Sequence, residues 1–175
     1  MRKLKITELN RLSISKFKSV DKLPLVVILD NIRSMHNIGS VFRTADAFRI
    51  SSIYLCGITA QPPHCDIHKT ALGAEESVEW VYSEDTVSVV KELKSKGYYT
   101  YAIEQAEGST MLDDLHLPNN QSIAIVLGNE VHGVQQEVIN ECDACIEIPQ
   151  YGTKHSLNVS VTAGIVLWDL FKKLS

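Results

Sequence analysis

Three stretches of this 175-residue chain hold residues whose types and spacing can do chemistry. The first runs from Asp30 to Arg43 and reads Asp-Asn-Ile-Arg-Ser-Met-His-Asn-Ile-Gly-Ser-Val-Phe-Arg. Asn37 suits a helix N-cap, where a side-chain oxygen accepts from backbone N–H groups that lack a partner. Arg43 lies further along the same helix, and its guanidinium offers a rigid fork of donors to a phosphate or an oxyanion. An ordinary surface ion pair would use it equally well. In the second stretch, Ile123 to Val134, an apolar strand runs straight into Gly128-Asn129-Glu130, with Gly133 close behind. Gly128 permits close backbone approach to a ligand, and Glu130 stands at a strand end between two glycines. The third stretch follows Ile148-Pro149: Gly152 allows a turn, and Ser156 and Asn158 bring small polar groups to the first turn of the last helix, where backbone N–H groups are free. A cap explains Ser156. It does not explain Asn158, because asparagine is a poor helix-interior residue.

A fourth pattern is weaker. Cys142-x-x-Cys145, with His64 and His68, invites a redox or zinc reading. Cys145 enters a strand rather than opening a helix, and no second C-x-x-C completes a tetrahedral site. The expectation is reduced thiols and no metal.

The elements that must position these residues are those of an α/β domain. Strands are expected at Leu25–Leu29, Ser52–Leu55, Glu79–Tyr82, Tyr98–Ile103, Ile123–Leu127 and Ala144–Ile148. Helices are expected near Ile38–Phe48, Thr86–Lys96, Val134–Glu141 and Ser156–Lys173, with a short one possible over Lys69–Glu76. Strands alternating with helices predict a mainly parallel sheet flanked by helices, and such sheets bind ligands beyond the carboxyl ends of their strands. All three stretches sit at strand ends. The last helix is apolar on more than one face, with Leu157, Val161, Ile165 and Trp168 at helical spacing and Val159, Val166, Leu167, Leu170 and Phe171 elsewhere. Such a helix needs cover on more than one side, and a subunit interface is the expected source.

Composition bounds the rest. The chain suits one domain able to bury roughly 70% of the surface its unfolded form exposes. No apolar run is long enough to span a bilayer and no secretory signal is visible, so a cytoplasmic protein without membrane contact is expected. The net charge is −4, but residues 1–22 carry seven basic side chains against two acidic ones. A basic N-terminal arm (1–22) on an acidic body (23–175) can clamp phosphates, although a solvated extension has the same composition. The dinucleotide fingerprint G-x-G-x-x-G, the phosphate loop G-x-x-x-x-G-K-[ST] and the hydrolase elbow G-x-S-x-G are all absent. Read from residues alone, the chain is a ligand-binding α/β domain.

Together, in order and spacing, the three stretches resemble the SpoU/TrmH branch of the SPOUT methyltransferases across about residues 25–173. The motifs are Asn37-x-Gly39-x-x-x-Arg43, then Leu127-Gly128-Asn129-Glu130-Val131-His132-Gly133, then Ile148-Pro149 with Gly152 and Ser156-Leu157-Asn158-Val159-Ser160-Val161. The resemblance implies an α/β fold whose C-terminal segment threads a loop into a deep trefoil knot, a rare exception to unknotted topology. It implies S-adenosylmethionine as methyl donor, held mainly by backbone groups at Ile103, Glu104, Gly128, Ile148 and Leu157. It implies an RNA substrate methylated on a ribose 2′-hydroxyl, and a homodimer with the last helix in the interface and the active site shared between subunits. Arg43 then becomes the catalytic centre, positioned with Asn37, Glu130, Ser156 and Asn158. A guanidinium is a poor free base. The family proposal lets an RNA phosphate assist its deprotonation, while the alternative is that it orients nucleophile and phosphate. Every motif position is filled. A short extension in place of a separate RNA-binding domain resembles the tRNA enzymes more than the rRNA enzymes, so tRNA is slightly favoured over rRNA. The competing reading from another class is a non-catalytic RNA-binding or assembly protein that keeps the fold.

Overall fold

A computed structural model describes residues 1–118 and 121–175, the side chain of Ile6 excepted. The sheet contains β1 (Leu23–Asp30), β2 (Ile50–Cys56), β3 (Glu79–Ser83), β4 (Tyr99–Ile103), β5 (Thr110–Met111), β6 (Ile123–Leu127) and β7 (Ala144–Glu147). Their order is β3-β2-β1-β6-β4-β7-β5, and every pairing is parallel. Six of these strands are those the sequence predicts. The two-residue β5 is too short to produce a pattern.

Parallel strands covered on both faces read as continuous apolar runs, and the central pair obeys this. In β6 all five residues are buried, as are the last six of β1. Alternate side chains feed two cores. Leu25, Val27, Leu29, Ile123, Ile125 and Leu127 pack against α2 (Met35–Ala47), α3 (Cys65–Ala71) and α7 (Val159–Leu174). Val26, Ile28, Ala124 and Val126 face α5 (Thr86–Ser95) and α6 (Gln136–Glu141). Within the basic arm, α1 (Ile14–Ser19) is capped by Ser13, and its Phe17 is buried in the first core. The short α4 (Ala74–Ser77) completes that layer.

Several boundaries differ from the sequence reading, each for a local reason. Ser34 caps α2, accepting from the N–H of Asn37, so Asn37 lies inside the first helical turn instead of capping it. Asn158 caps α7, accepting from the N–H groups of Ser160 and Val161, which leaves Ser156 in the loop before the helix. Helix α6 begins at Gln136 because Asn129 and Gly133 exchange backbone hydrogen bonds and hold the intervening residues in a turn. The 69–76 region becomes two helices, because Leu72 and Gly73 adopt left-handed backbone between them. The glycine of the first motif has a packing role: a Cβ on Gly39 would stand 2.2 Å from the carbonyl oxygen of Ile67, so only glycine lets α2 and α3 approach so closely.

The two apolar faces of α7 are distinct. Val159, Ala163, Val166, Leu167 and Leu170 enter the core, while Val161, Ile165 and Trp168 form an exposed stripe. Trp168 is 52% exposed although its ring contacts Phe48 and Phe171. No helix among the described residues is long and apolar enough to cross a membrane.

Candidate active site

The loops that follow β4, β6 and β7 converge on one cavity of about 690 Å³. Ile103, Glu104, Gly128, Ile148 and Leu157, from four parts of the chain, all line it. Glu130, Ser156 and Asn158 line it as well; Asn37 and Arg43 do not.

Asn37 reaches the cavity wall indirectly. The Glu130 carboxylate accepts from the backbone N–H groups of Arg33 (2.9 Å) and Ser34 (3.0 Å) and from the Asn37 side-chain amide (3.0 Å). These donors form the N-terminal end of α2, where backbone dipoles favour a negative charge. Partial burial pushes the Glu130 carboxyl upward, but the bonds from Arg33, Asn37 and Ser34 together hold it below the usual carboxylate range. Glu130 is therefore an ionised brace between the first and second motifs, unsuited to proton transfer. Asn37 Oδ1 in turn accepts from the Asn158 amide at 3.2 Å, which ties in the third motif.

The second-motif loop is closed by a contact only glycine allows. A Cβ on Gly128 would lie 2.1 Å from the backbone nitrogen of Val134 and 2.2 Å from the carbonyl carbon of Gly133. Glu104 fixes the same loop from β4: its Oε2 accepts the N–H of Val134 at 3.0 Å, and its Oε1 accepts that of Gln105 at 2.9 Å. Three further residues escaped the sequence reading. The Asn129 amide donates to the carbonyl of Asn31 at 2.7 Å while its oxygen accepts from Val131 and His132, so it shapes the loop and docks it on the first motif. Gln105 donates to the carbonyl of His155 at 2.7 Å and bridges two cavity walls. Asp30, fully buried, accepts from Thr86, Asn31 and Gln135 and knits the carboxyl end of β1 to the second loop. The signal for Asn129 lay in the Gly-Asn-Glu run. Gln105 and Asp30 carried none, because their partners are distant in sequence.

Arg43 occupies a separate place. It is exposed, makes no ion pair among the described residues, and borders a second groove beside the basic arm. Within one chain the structure does not bring it to the cavity. The cysteines also part company with the zinc pattern. The one metal-compatible cluster among the described residues is His64, Cys65 and Asp66, which leaves out both members of the C-x-x-C pair. Burial pushes the Cys142 thiol up to about 12 and raises that of Cys145.

The cavity offers what a small polar metabolite with a flat apolar part requires: aliphatic walls at Leu127, Ile146, Ile148 and Leu157, loop backbone, and a few fixed polar groups. A ligand-binding parallel α/β domain, built on loops beyond the strand ends, is the class that fold and site define. The chain belongs to the SpoU rRNA Methylase family, whose profile matches residues 24–168. A Staphylococcus aureus protein of the TrmH family of tRNA/rRNA methyltransferases is 31% identical over 156 residues, which is 89% of this chain and 62% of that one. The 23S rRNA (guanosine-2′-O-)-methyltransferase RlmB of Neisseria meningitidis is 33% identical over 150 residues, 86% of this chain and 59% of the relative. The AdoMet-bound rRNA methyltransferase of Sinorhizobium meliloti superposes with a TM-score of 0.81 at 26% identity, over 91% of this chain and 60% of that one. The chain thus spans about three fifths of the length of these relatives.

Proposed function

We propose that this chain is an S-adenosylmethionine-dependent RNA methyltransferase that modifies a ribose 2′-hydroxyl and acts as a homodimer. The observation that carries the reading is the meeting of Ile103, Glu104, Gly128, Ile148 and Leu157 in one cavity. Loops from β4, β6 and β7 meeting beside the start of α7 also agree with a threaded C-terminal segment, the knot typical of the resemblance. The relatives add the chemistry: one is bound to AdoMet and another is a guanosine-2′-O-methyltransferase.

The donor set suits that cofactor. Ile103, Glu104, Gly128, Ile148 and Leu157 would hold it, and the brace of Glu130, Asn37 and Asn158 would join the start of α2 to the walls of the cavity. Bound there, the cofactor supplies an electrophilic methyl group with a neutral thioether as leaving group. The chain's own task is to present the hydroxyl in line and to stabilise charge as its proton departs. Arg43 is the residue for that task, because a guanidinium binds ribose and phosphate oxygens together.

Arg43 borders a groove separate from the cavity of its own chain, so a complete site needs Arg43 from a second copy. The exposed Val161, Ile165 and Trp168 stripe on α7 is the natural contact, and α7 packs directly on α2, which carries Arg43. Both tRNA and rRNA occur in the relatives' names. The deciding experiment incubates the protein with methyl-labelled S-adenosylmethionine and unfractionated tRNA or rRNA, followed by nucleoside mass spectrometry. Label in a 2′-O-methylnucleoside is expected. Label only in a base would overturn the ribose assignment, and cofactor binding without transfer to either RNA would favour a binding or assembly protein.

A further inference from the structure

The groove beside Arg43, about 310 Å³, lies between the basic arm and the turn that joins α3 to α4. Leu12 and Ile14 wall it from the arm, Arg43 and Asp46 from α2, and Leu72 and Ser77 from the far side. Its size is at the small end of ligand sites, about 300–1,000 Å³, which leaves room for one nucleoside.

The lining has two kinds of chemistry. Leu12, Ile14 and Leu72 are 47%, 44% and 64% exposed, so three aliphatic side chains frame one opening. Leu72 is held there by the left-handed backbone, φ 53°, that caps the end of α3. The polar members are oriented and incompletely used. Asp46 Oδ1 accepts from the Ser77 hydroxyl at 3.0 Å, leaving Oδ2 able to accept from an amino or imino group. Arg43 lacks an acidic partner among the described residues.

The arm is anchored to the body at Phe17. Phe17 is buried, and the Lys22 ammonium donates to the carbonyls of Phe17 and Val20 and sits 4.6 Å from the Phe17 ring centre. Arg2 pairs with Glu8 and Lys18 with Glu79, whereas Lys3, Lys5, Arg11 and Lys16 make no ion pair among the described residues. Aliphatic surface, a carboxylate acceptor and a guanidinium, with Arg11 next in sequence to the lining Leu12 and Lys16 two residues from the lining Ile14, are together the recognition set for an unstacked nucleotide.

We propose that this groove seats the base of the target nucleotide, with its ribose at Arg43 and the adjoining phosphates at Arg11 and Lys16. The inference rests on the RNA methyltransferase reading and gives the arm a specific place in substrate selection.

The test compares wild type with Ile14→Glu, Leu72→Glu and the double charge reversal Arg11→Glu/Lys16→Glu, with Lys91→Glu on α5 as a distant charge control. Each is measured for methyl transfer to unfractionated tRNA and rRNA, for RNA affinity by fluorescence anisotropy, for S-adenosylhomocysteine affinity by calorimetry, and for sedimentation. The groove variants should raise the KM for RNA about tenfold with kcat within about twofold, while cofactor affinity and sedimentation stay at wild-type values. The charge reversal should reduce the slope of log affinity against log salt by about 1.4–1.8, since each of two lost phosphate contacts removes about 0.7–0.9. Wild-type RNA affinity in both aliphatic variants would overturn the inference. So would a change in sedimentation for Ile14→Glu, because the groove would then seat a second copy of the chain. A wild-type protein that binds S-adenosylhomocysteine yet transfers nothing to RNA would instead end the reading beneath it.

Discussion

Asn158 donates its side-chain amide to Oδ1 of Asn37 at 3.2 Å, joining residues 121 positions apart. Asn37 passes the connection on by donating to Glu130 at 3.0 Å. One asparagine therefore links the start of α2 to the β6 loop and the cap of α7, two segments that line the cavity. The link is a fastening and not a proton path, since both amides are neutral and Glu130 is held ionised by its donors.

Asn37→Ala removes a donor and an acceptor from this junction. A hydrogen bond contributes about 0.5–1.5 kcal/mol net, and one to a charged group about 1.5–3 kcal/mol. A loss of about 2 kcal/mol is expected, or about 4–8 °C in Tm at the 2–4 °C per kcal/mol usual for a domain this size. Calorimetry should also show weaker S-adenosylhomocysteine binding, because the loops lose their common register. An unchanged Tm with unchanged binding would mean that the junction is ornamental.

Glu130 predicts an acid dependence with a definite sign. Its carboxyl is depressed in the folded protein, so its contribution is present above the unfolded value of about 4.3 and is lost as pH falls through the folded value. Glu130→Gln should therefore be less stable than wild type from pH 5 to 8, with the gap closing below pH 4. Thermal melts across that range check it. A gap that widened in acid would contradict the ionised brace.

The two central strands were legible because parallel strands buried on both faces must be apolar throughout, and Leu25–Leu29 and Ile123–Leu127 are. The site residues were legible as motifs, but their roles were not. Asn37 resembled a helix cap, but Ser34, three residues earlier, takes that position, and the Asn37 side chain bonds Glu130 and Asn158 instead. Glu130 stood out as an acidic residue at a strand end, but its three donors, Arg33, Ser34 and Asn37, are visible only in the fold. Arg43 lay in the same motif as Asn37, yet it borders a different recess. Such facts depend on contacts 93 to 121 residues apart, which no local pattern encodes.

Gly128→Ala tests the closed loop. Its Cβ would meet backbone atoms of Gly133 and Val134 within 2.2 Å, and backbone cannot rotate aside as a side-chain tip would. The loop must shift, so S-adenosylhomocysteine affinity should fall at least tenfold in calorimetry. Near-native affinity would show that the cavity does not need this turn.

The thiols give an alkaline counterpart. Burial pushes Cys56 and Cys142 up to about 12, whereas an unfolded thiol titrates near 8.5. Their contribution to stability is fully present below about 8.5 and declines as pH rises toward the folded values. Ellman's reagent at pH 8 should find exposed Cys65 reacting fast, half-buried Cys142 more slowly, and Cys56 only on unfolding. Rapid modification of Cys56 in the native protein would refute the buried thiol.

The separation of Arg43 from the cavity predicts complementation. Arg43→Ala should abolish transfer while leaving S-adenosylhomocysteine binding intact, because Arg43 does not line the cavity. Leu157→Asp, at a 38%-exposed cavity position, should abolish binding without unfolding the chain. Mixed and re-equilibrated, the two inactive proteins form heterodimers in which one site combines an intact cavity with the other chain's Arg43. Random two-fold pairing makes half the dimers mixed and leaves half of their sites intact, so about a quarter of wild-type activity should return. Trp168→Glu, placed in the exposed α7 stripe of either partner, should cancel the recovery by blocking association. No recovery in a mixture shown by sedimentation to contain heterodimers would place Arg43 and the cavity in service of the same chain, and the two-chain site would fall.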